Sequence, residues 1–207
     1  MSKKATSIKR DPAATRQRLI DATVRLMLRH GFAGTSVDMI CQEAGMTKGG
    51  FFHHFENKEA LAIAAVEWWG RMGTALYAEA WKDRTLDPLK QLHSMLDIMA
   101  GFAKRPGEHC ACMVGMMSQE MAATSPALRA ACEKELNLWT SNTAKMLAAA
   151  KRKHNPGAKF DPVQVAWFLN SLWQGSMLVG KTSRSQELIR HNLKQARTYV
   201  DGLFAKI

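Results

Sequence analysis

Apolar residues recur with a helical period along most of this chain. Between Thr15 and His30 the positions Leu19, Ile20, Thr23, Leu26 and Met27 fall on one stripe, while Arg16, Arg18, Arg25 and Arg29 lie off it. Gly31 stands where a helix stop belongs. Thr35 is expected to cap a second helix, with Asp38 returning the bond. In that helix Val37, Ile40, Cys41 and Ala44 form a single apolar face. Gly45 breaks it, and Thr47 can cap a short third helix running through Phe55.

Asn57 is expected to cap a fourth helix through Leu61, Ala64, Ala65, Trp68, Met72 and Leu76 to about Trp81. At ~1.5 Å per residue it would be roughly 35–40 Å long, a connecting rod. Residues 83–88 form a break, after which helical patterns resume at Leu89–Ala103, Cys110–Ala122, Pro126–Lys153, Pro162–Lys181 and Gln186–Phe204. Arg105–Glu108 and Lys153–Asp161 are loops by composition. No stretch alternates apolar and polar residues with β-branched enrichment, and no internal repeat is present. The pattern predicts an all-α protein of about nine helices.

Composition narrows the class. The 207 residues are 46% hydrophobic and 23% charged, with 6 Pro and 14 Gly, which excludes a collagen-like or wholly disordered chain. No apolar run approaches the ~18–20 residues of a membrane span, and the start lacks the apolar core of a signal peptide. A cytoplasmic protein is expected, with no membrane partner. Its 4 Cys (Cys41, Cys110, Cys112 and Cys132) are then free thiols rather than a disulfide framework. The formal charge of +11 favours a polyanionic partner, nucleic acid before membrane. The excess is spread along the chain, so charge alone settles nothing.

Two short helices joined by a tight glycine turn and stacked on a longer first helix describe a helix-turn-helix. Val37, Ile40, Cys41, Ala44, Met46, Phe51 and Phe55 must bury themselves against Leu19, Thr23, Leu26 and Phe32. Thr47, Lys48, Gly49, Gly50, Phe52, His53 and His54 are left facing outward. Hydroxyls and helix N-termini suit phosphate oxygens, and Lys48 suits a guanine edge or a phosphate. Residues 15–61 resemble the N-terminal domain of the TetR/AcrR transcriptional repressors, through TSVDMICQEAGMTKG, FFHHF and NKEAL.

The resemblance implies roles position by position. Thr35 and Ser36 match phosphate contacts at the start of helix two, and Thr47, Lys48, Gly49 and Gly50 match the base-reading start of the recognition helix. Phe52, His53 and His54 match its aromatic stretch, and Lys58 a phosphate-gripping lysine. One departure stands out: position 52 is commonly Tyr, whose hydroxyl reaches a phosphate, and Phe52 has none. The resemblance divides the chain into a basic arm (1–12, with Lys3, Lys4, Lys9 and Arg10), a reader (13–60) and a larger helical ligand-sensing and dimerisation domain (61–207). The last two helices are expected to form the dimer bundle, through Trp167, Leu169, Trp173, Met177, Leu188, Leu193 and Val200.

The segment HCACMVGMMSQEMAATSPALR at 109–129 resembles a subgroup of that family with a cysteine-bearing sensor segment, in which Cys112 aligns best and Cys110 is an extra thiol. A thiolate near a helix start or a positive charge attacks electrophiles; free Cys also packs as a small apolar residue. His109, Cys110 and Cys112 lack the fourth ligand of a tetrahedral metal site, so neither metal nor cofactor is expected. The methionines Met95, Met99, Met113, Met116, Met117, Met121 and Met146 either fill a helical core, the commoner use of such residues, or line a cavity for apolar effectors, with Met99, Phe102, Met116 and Trp139 as candidate lining beside Cys112. The combined expectation is a homodimeric repressor of a palindromic operator, released by a small molecule or thiol-reactive compound, with no catalytic residues. The rivals are a thiol-dependent enzyme, for which no base or anion hole is visible around Cys112, and a constitutive architectural DNA binder.

Overall fold

The computed structural model describes residues 11–82, 85–103 and 111–205. Among them the chain forms ten α-helices and no strand: α1 (Pro12–His30), α2 (Val37–Ala44), α3 (Lys48–His54), α4 (Lys58–Leu76), α5 (Ala78–Lys82), α6 (Pro88–Phe102), α7 (Met113–Met121), α8 (Pro126–His154), α9 (Pro162–Thr182) and α10 (Gln186–Phe204). The expected rod to Trp81 is interrupted at Tyr77, whose buried residue ends α4 and leaves α5 as a separate turn. At 19 residues α4 is roughly 28 Å long.

Helix starts follow the local chemistry. Asp11, Ser36, Thr47, Asn57, Asp87, Ser125, Asp161 and Ser185 each cap a helix by accepting a backbone N–H. The second helix is capped by Ser36, which corrects the expectation for Thr35. Thr35 is fully buried and its hydroxyl donates to the Gly31 carbonyl at 2.7 Å, so it closes the turn instead. Asp38 pairs with Lys48 at 2.9 Å rather than returning a capping bond.

Two apolar cores result. The first joins α1–α4 to α7 and the start of α8, with Leu19, Ile20, Met27, Ile40, Phe51 and Leu61 meeting Met113, Met117 and Leu128. The second lies among α5, α6, α8, α9 and α10, around Leu92, Met95, Leu169, Ile189 and Val200. Helix α7 therefore packs on the helix-turn-helix rather than standing apart from it.

Candidate functional site

Helix α3 is set by one buried residue. Phe51 has no solvent exposure and stacks edge-on against Phe52 at 5.0 Å, which anchors a seven-residue helix and turns its opposite face outward. Thr47, Lys48, Gly49 and His53 are exposed, Phe52 is 56% exposed, and Gly50 and His54 are half-buried. The Thr47 hydroxyl accepts from Gly50 N–H at 3.2 Å, so the helix N-terminus is already partly capped. A side chain at Gly49 would meet nothing closer than Thr47 Oγ1 at 4.0 Å. Its glycine is a matter of bare backbone, not crowding. A groove beside this face is lined by Arg18, Gly45, Thr47, Gly50, His53 and His54 among others.

Two residues matched to phosphate contacts face inward. Thr35 is in the turn described above. Lys58 folds back, its Nζ donating to the carbonyls of Phe32 at 2.8 Å and Thr35 at 2.9 Å and lying 4.1 Å from the centre of the Phe32 ring. Burial lowers its pKa, against the opposing pull of Glu120. The expected outward grip of Lys58 is thus replaced here by a clamp on the α1–α2 turn. Ser36 remains exposed.

The larger helical region holds a cavity of ≈ 700 Å³, its open mouth included. Cys112 lies on its wall as the N-cap of α7, with Gln174 Nε2 approaching its sulfur at 3.6 Å. Phe102 and Trp139 line the cavity, as expected. Met99 and Met116, the other two lining candidates, are not on its wall. Met99 is fully buried in the second core. Met116 lines a neighbouring polar cleft with Lys181 and Arg184, where Lys181 Nζ reaches its sulfur at 3.5 Å. Cys110, His109, Lys104 and Arg105 lie outside the described residues, as does the basic arm through Arg10.

Aromatic rings take the methionines' place. Trp69, Gly73, Tyr77 and Trp81 follow one another at four-residue spacing along α4 and α5, and all four line the cavity. From α9 come Asn170, Trp173, Gln174 and Met177, spaced i, i+3, i+4 and i+7. That periodicity is present in the sequence and is the signal that would have found them. Glu135 lines the wall from α8; burial raises its pKa, with Lys134 opposing and Glu67 adding. Among the described residues no three His, Cys, Asp or Glu side chains gather as a metal site requires.

The dimer expectation also shifts residues. Leu169, Trp173, Met177, Leu193 and Val200 are buried within the single chain. The large apolar side chains left exposed on α9 and α10 are Val163, Trp167, Phe168, Leu178, Val179 and Tyr199. Phe168 and Tyr199 pack together at 4.9 Å, joining the two helices into one face.

Comparison with known proteins is consistent along the chain. Residues 19–65 match the model of the bacterial regulatory proteins of the TetR family, and residues 88–196 match the tetracyclin repressor-like C-terminal domain. The chain is 30% identical over 171 residues to the transcriptional regulator AcuR of Cereibacter sphaeroides, covering 83% of this chain and 78% of that protein. It is 25% identical to the transcriptional repressor NemR of Escherichia coli, covering 90% of this chain and 94% of NemR. A regulatory protein TetR from Rhodobacter sphaeroides has the same fold at a TM-score of 0.81 and 27% identity, over 89% of this chain and 98% of that one. The reduced form of E. coli NemR superposes at a TM-score of 0.80, over 94% of this chain and 98% of that one. No described helix is long and apolar enough to cross a membrane. The chain belongs to the TetR family of bacterial transcriptional regulators, with its DNA-binding helix-turn-helix in the N-terminal part and the family's C-terminal domain behind it.

Proposed function

We propose that this regulator is a homodimeric repressor of a palindromic operator, released when a compound occupies the cavity beside Cys112 or modifies its thiol. The reader spans 13–60 with a basic arm before it, and 61–207 sense and dimerise. In this reading α3 enters the major groove, with Lys48 exchanging its exposed partner Asp38 for a base edge or phosphate. Thr47, Gly49 and Gly50 bring the backbone close to the DNA, and Ser36, Phe52, His53 and His54 flank it. The exposed apolar face of α9 and α10 pairs with its copy about a twofold axis.

The observation that carries the reading is the span of α7. It starts at Cys112 on the cavity wall, and just before its end Glu120 binds the α1–α2 turn of the reader. A ligand or adduct that displaces the start of α7 thereby tilts the turn. The two readers must match half-sites about 34–36 Å apart, so a modest rotation loses one of them. With an unsaturated carbonyl compound, the Cys112 thiolate adds to the β-carbon and the α-carbon takes the proton, with no other reactant needed.

Footprinting and sedimentation on duplex DNA from upstream of the protein's own gene test this. The expected result is a protected inverted repeat carrying two chains. Protection without sequence preference, or one chain per site, overturns it.

A further inference from the structure

The cavity has a consistent chemistry that the family's fold does not dictate. Six aromatic side chains wall it: Trp69, Tyr77, Trp81, Phe102, Trp139 and Trp173. Among the described residues no Lys, Arg or His lines it, and Glu135 is its single carboxylate. That carboxyl group rests against bare backbone at Gly70, where an added Cβ would overlap it. No described residue gives it a hydrogen bond or ion pair. A partly desolvated carboxylate left unpaired is costly.

These features complement one kind of molecule. Tryptophan faces attract cations, and most strongly where water is excluded. An anion would face Glu135 directly, because Lys134 and Arg71, the cations that act on this carboxyl group, stand outside the wall. A neutral hydrocarbon would fill the space while leaving the carboxylate unmatched. We propose that the cavity takes a planar aromatic cation, its charge against Glu135 and its ring among the tryptophans. The proposal deepens the effector reading above and rests on it for its regulatory meaning, but not for binding itself.

Calorimetric titration of the full-length protein at pH 8 with three flat probes of similar shape tests it. The cation is 6-methoxy-1-methylquinolinium, the neutral probe 6-methoxyquinoline and the anion 6-methoxy-2-naphthoate. The cation is expected to bind at least tenfold more tightly than the anion. E135Q should lose about tenfold for the cation and leave the neutral probe unchanged, and W81F should weaken both. E135D, which keeps the charge, should restore most of the cation affinity and guards against a folding defect in E135Q. Equal or tighter anion binding, or cation affinity unchanged in E135Q, overturns the proposal. Operator binding is read separately: a cation that binds in the cavity without releasing DNA leaves this chemistry standing and removes the effector reading.

Discussion

Glu120 and Phe32 stand 88 positions apart in the chain, yet the Glu120 carboxylate accepts the Phe32 backbone N–H at 2.7 Å, and the Ala33 N–H at the same distance. The turn between α1 and α2 is thus held by a side chain of the larger helical region. Lys58 grips the same turn from α4, and Lys181 Nζ donates to the Leu28 carbonyl at 3.0 Å from α9. Three helices outside the helix-turn-helix proper therefore set where its first turn sits.

Removing this carboxylate should loosen the reader without unfolding the chain. Glu120→Ala is expected to cost about 1–2 kcal/mol of stability and to weaken operator binding severalfold. Denaturant melts and DNA titrations on one preparation check this. Operator affinity equal to the parent's would show that the clamp does not position α3.

Gly31 is placed to make that clamp possible. Its φ of 75° lies where side chains are disfavoured, and an added Cβ would come within 2.8 Å of Glu120 Oε2. Gly31→Ala should therefore destabilise by about 1 kcal/mol or more. Combined with Glu120→Ala the loss should be less than additive, because the two changes disturb one contact.

The recognition face offers a gain as well as a loss. Lys48→Ala should weaken DNA binding and reduce its salt dependence by about one ion. Phe52 is exposed beside that face, and Phe52→Tyr adds the hydroxyl that this position lacks. It should tighten binding, and a titration series in salt reads both changes together.

Sequence pattern located nearly every helix because caps and stripes are local. Asp11, Thr47, Asn57 and Ser185 mark starts within a turn of where they stand. What escaped it depends on distant partners. Ser36 takes the cap in place of Thr35 because Thr35 has the Gly31 carbonyl to bond and a core to enter. Lys58 turns inward because two carbonyls and a ring await it. Of the two uses open to the methionines, Met95, Met99, Met113 and Met117 take the core, while the Trp69–Tyr77–Trp81 spacing that walls the cavity is legible in the sequence. Glu120 carries no local signature at all.

Thiol reactivity should separate by burial. Burial raises the Cys41 thiol pKa, with Asp38 adding and Lys48 opposing, and burial likewise raises that of Cys132. Cys112 is half-buried on an open cavity. Of these three, N-ethylmaleimide should label Cys112 first in native protein, as read by peptide mass mapping over time. Earlier labelling of Cys41 or Cys132 would contradict the geometry.

Acid sensitivity should concentrate at Asp87. Burial works to raise its pKa, but Lys153 and His154 at 2.9 Å and the Leu89 N–H outweigh that and hold it well below its ordinary 3.8. A depressed carboxylate stabilises the fold above the unfolded-state pKa and loses that contribution as pH falls through the folded value. Stability should therefore decline from about pH 4 downward. Asp87→Asn, which keeps the helix cap, should flatten that decline in acid-titrated melts.

Thr23 presents the opposite case, a fully buried hydroxyl with no hydrogen-bond partner among the described residues. Thr23→Val keeps the shape and removes the unmatched group, so the melting midpoint should hold or rise.

In the proposed mechanism the state of the Cys112 cavity governs DNA binding. Fluorescence anisotropy of the protein on labelled duplex from upstream of its own gene, before and after N-ethylmaleimide, tests it most directly. The expected result is tight binding that alkylation abolishes in the parent chain and spares in Cys112→Ser. Binding that survives alkylation of Cys112, or is lost equally in Cys112→Ser, would contradict it.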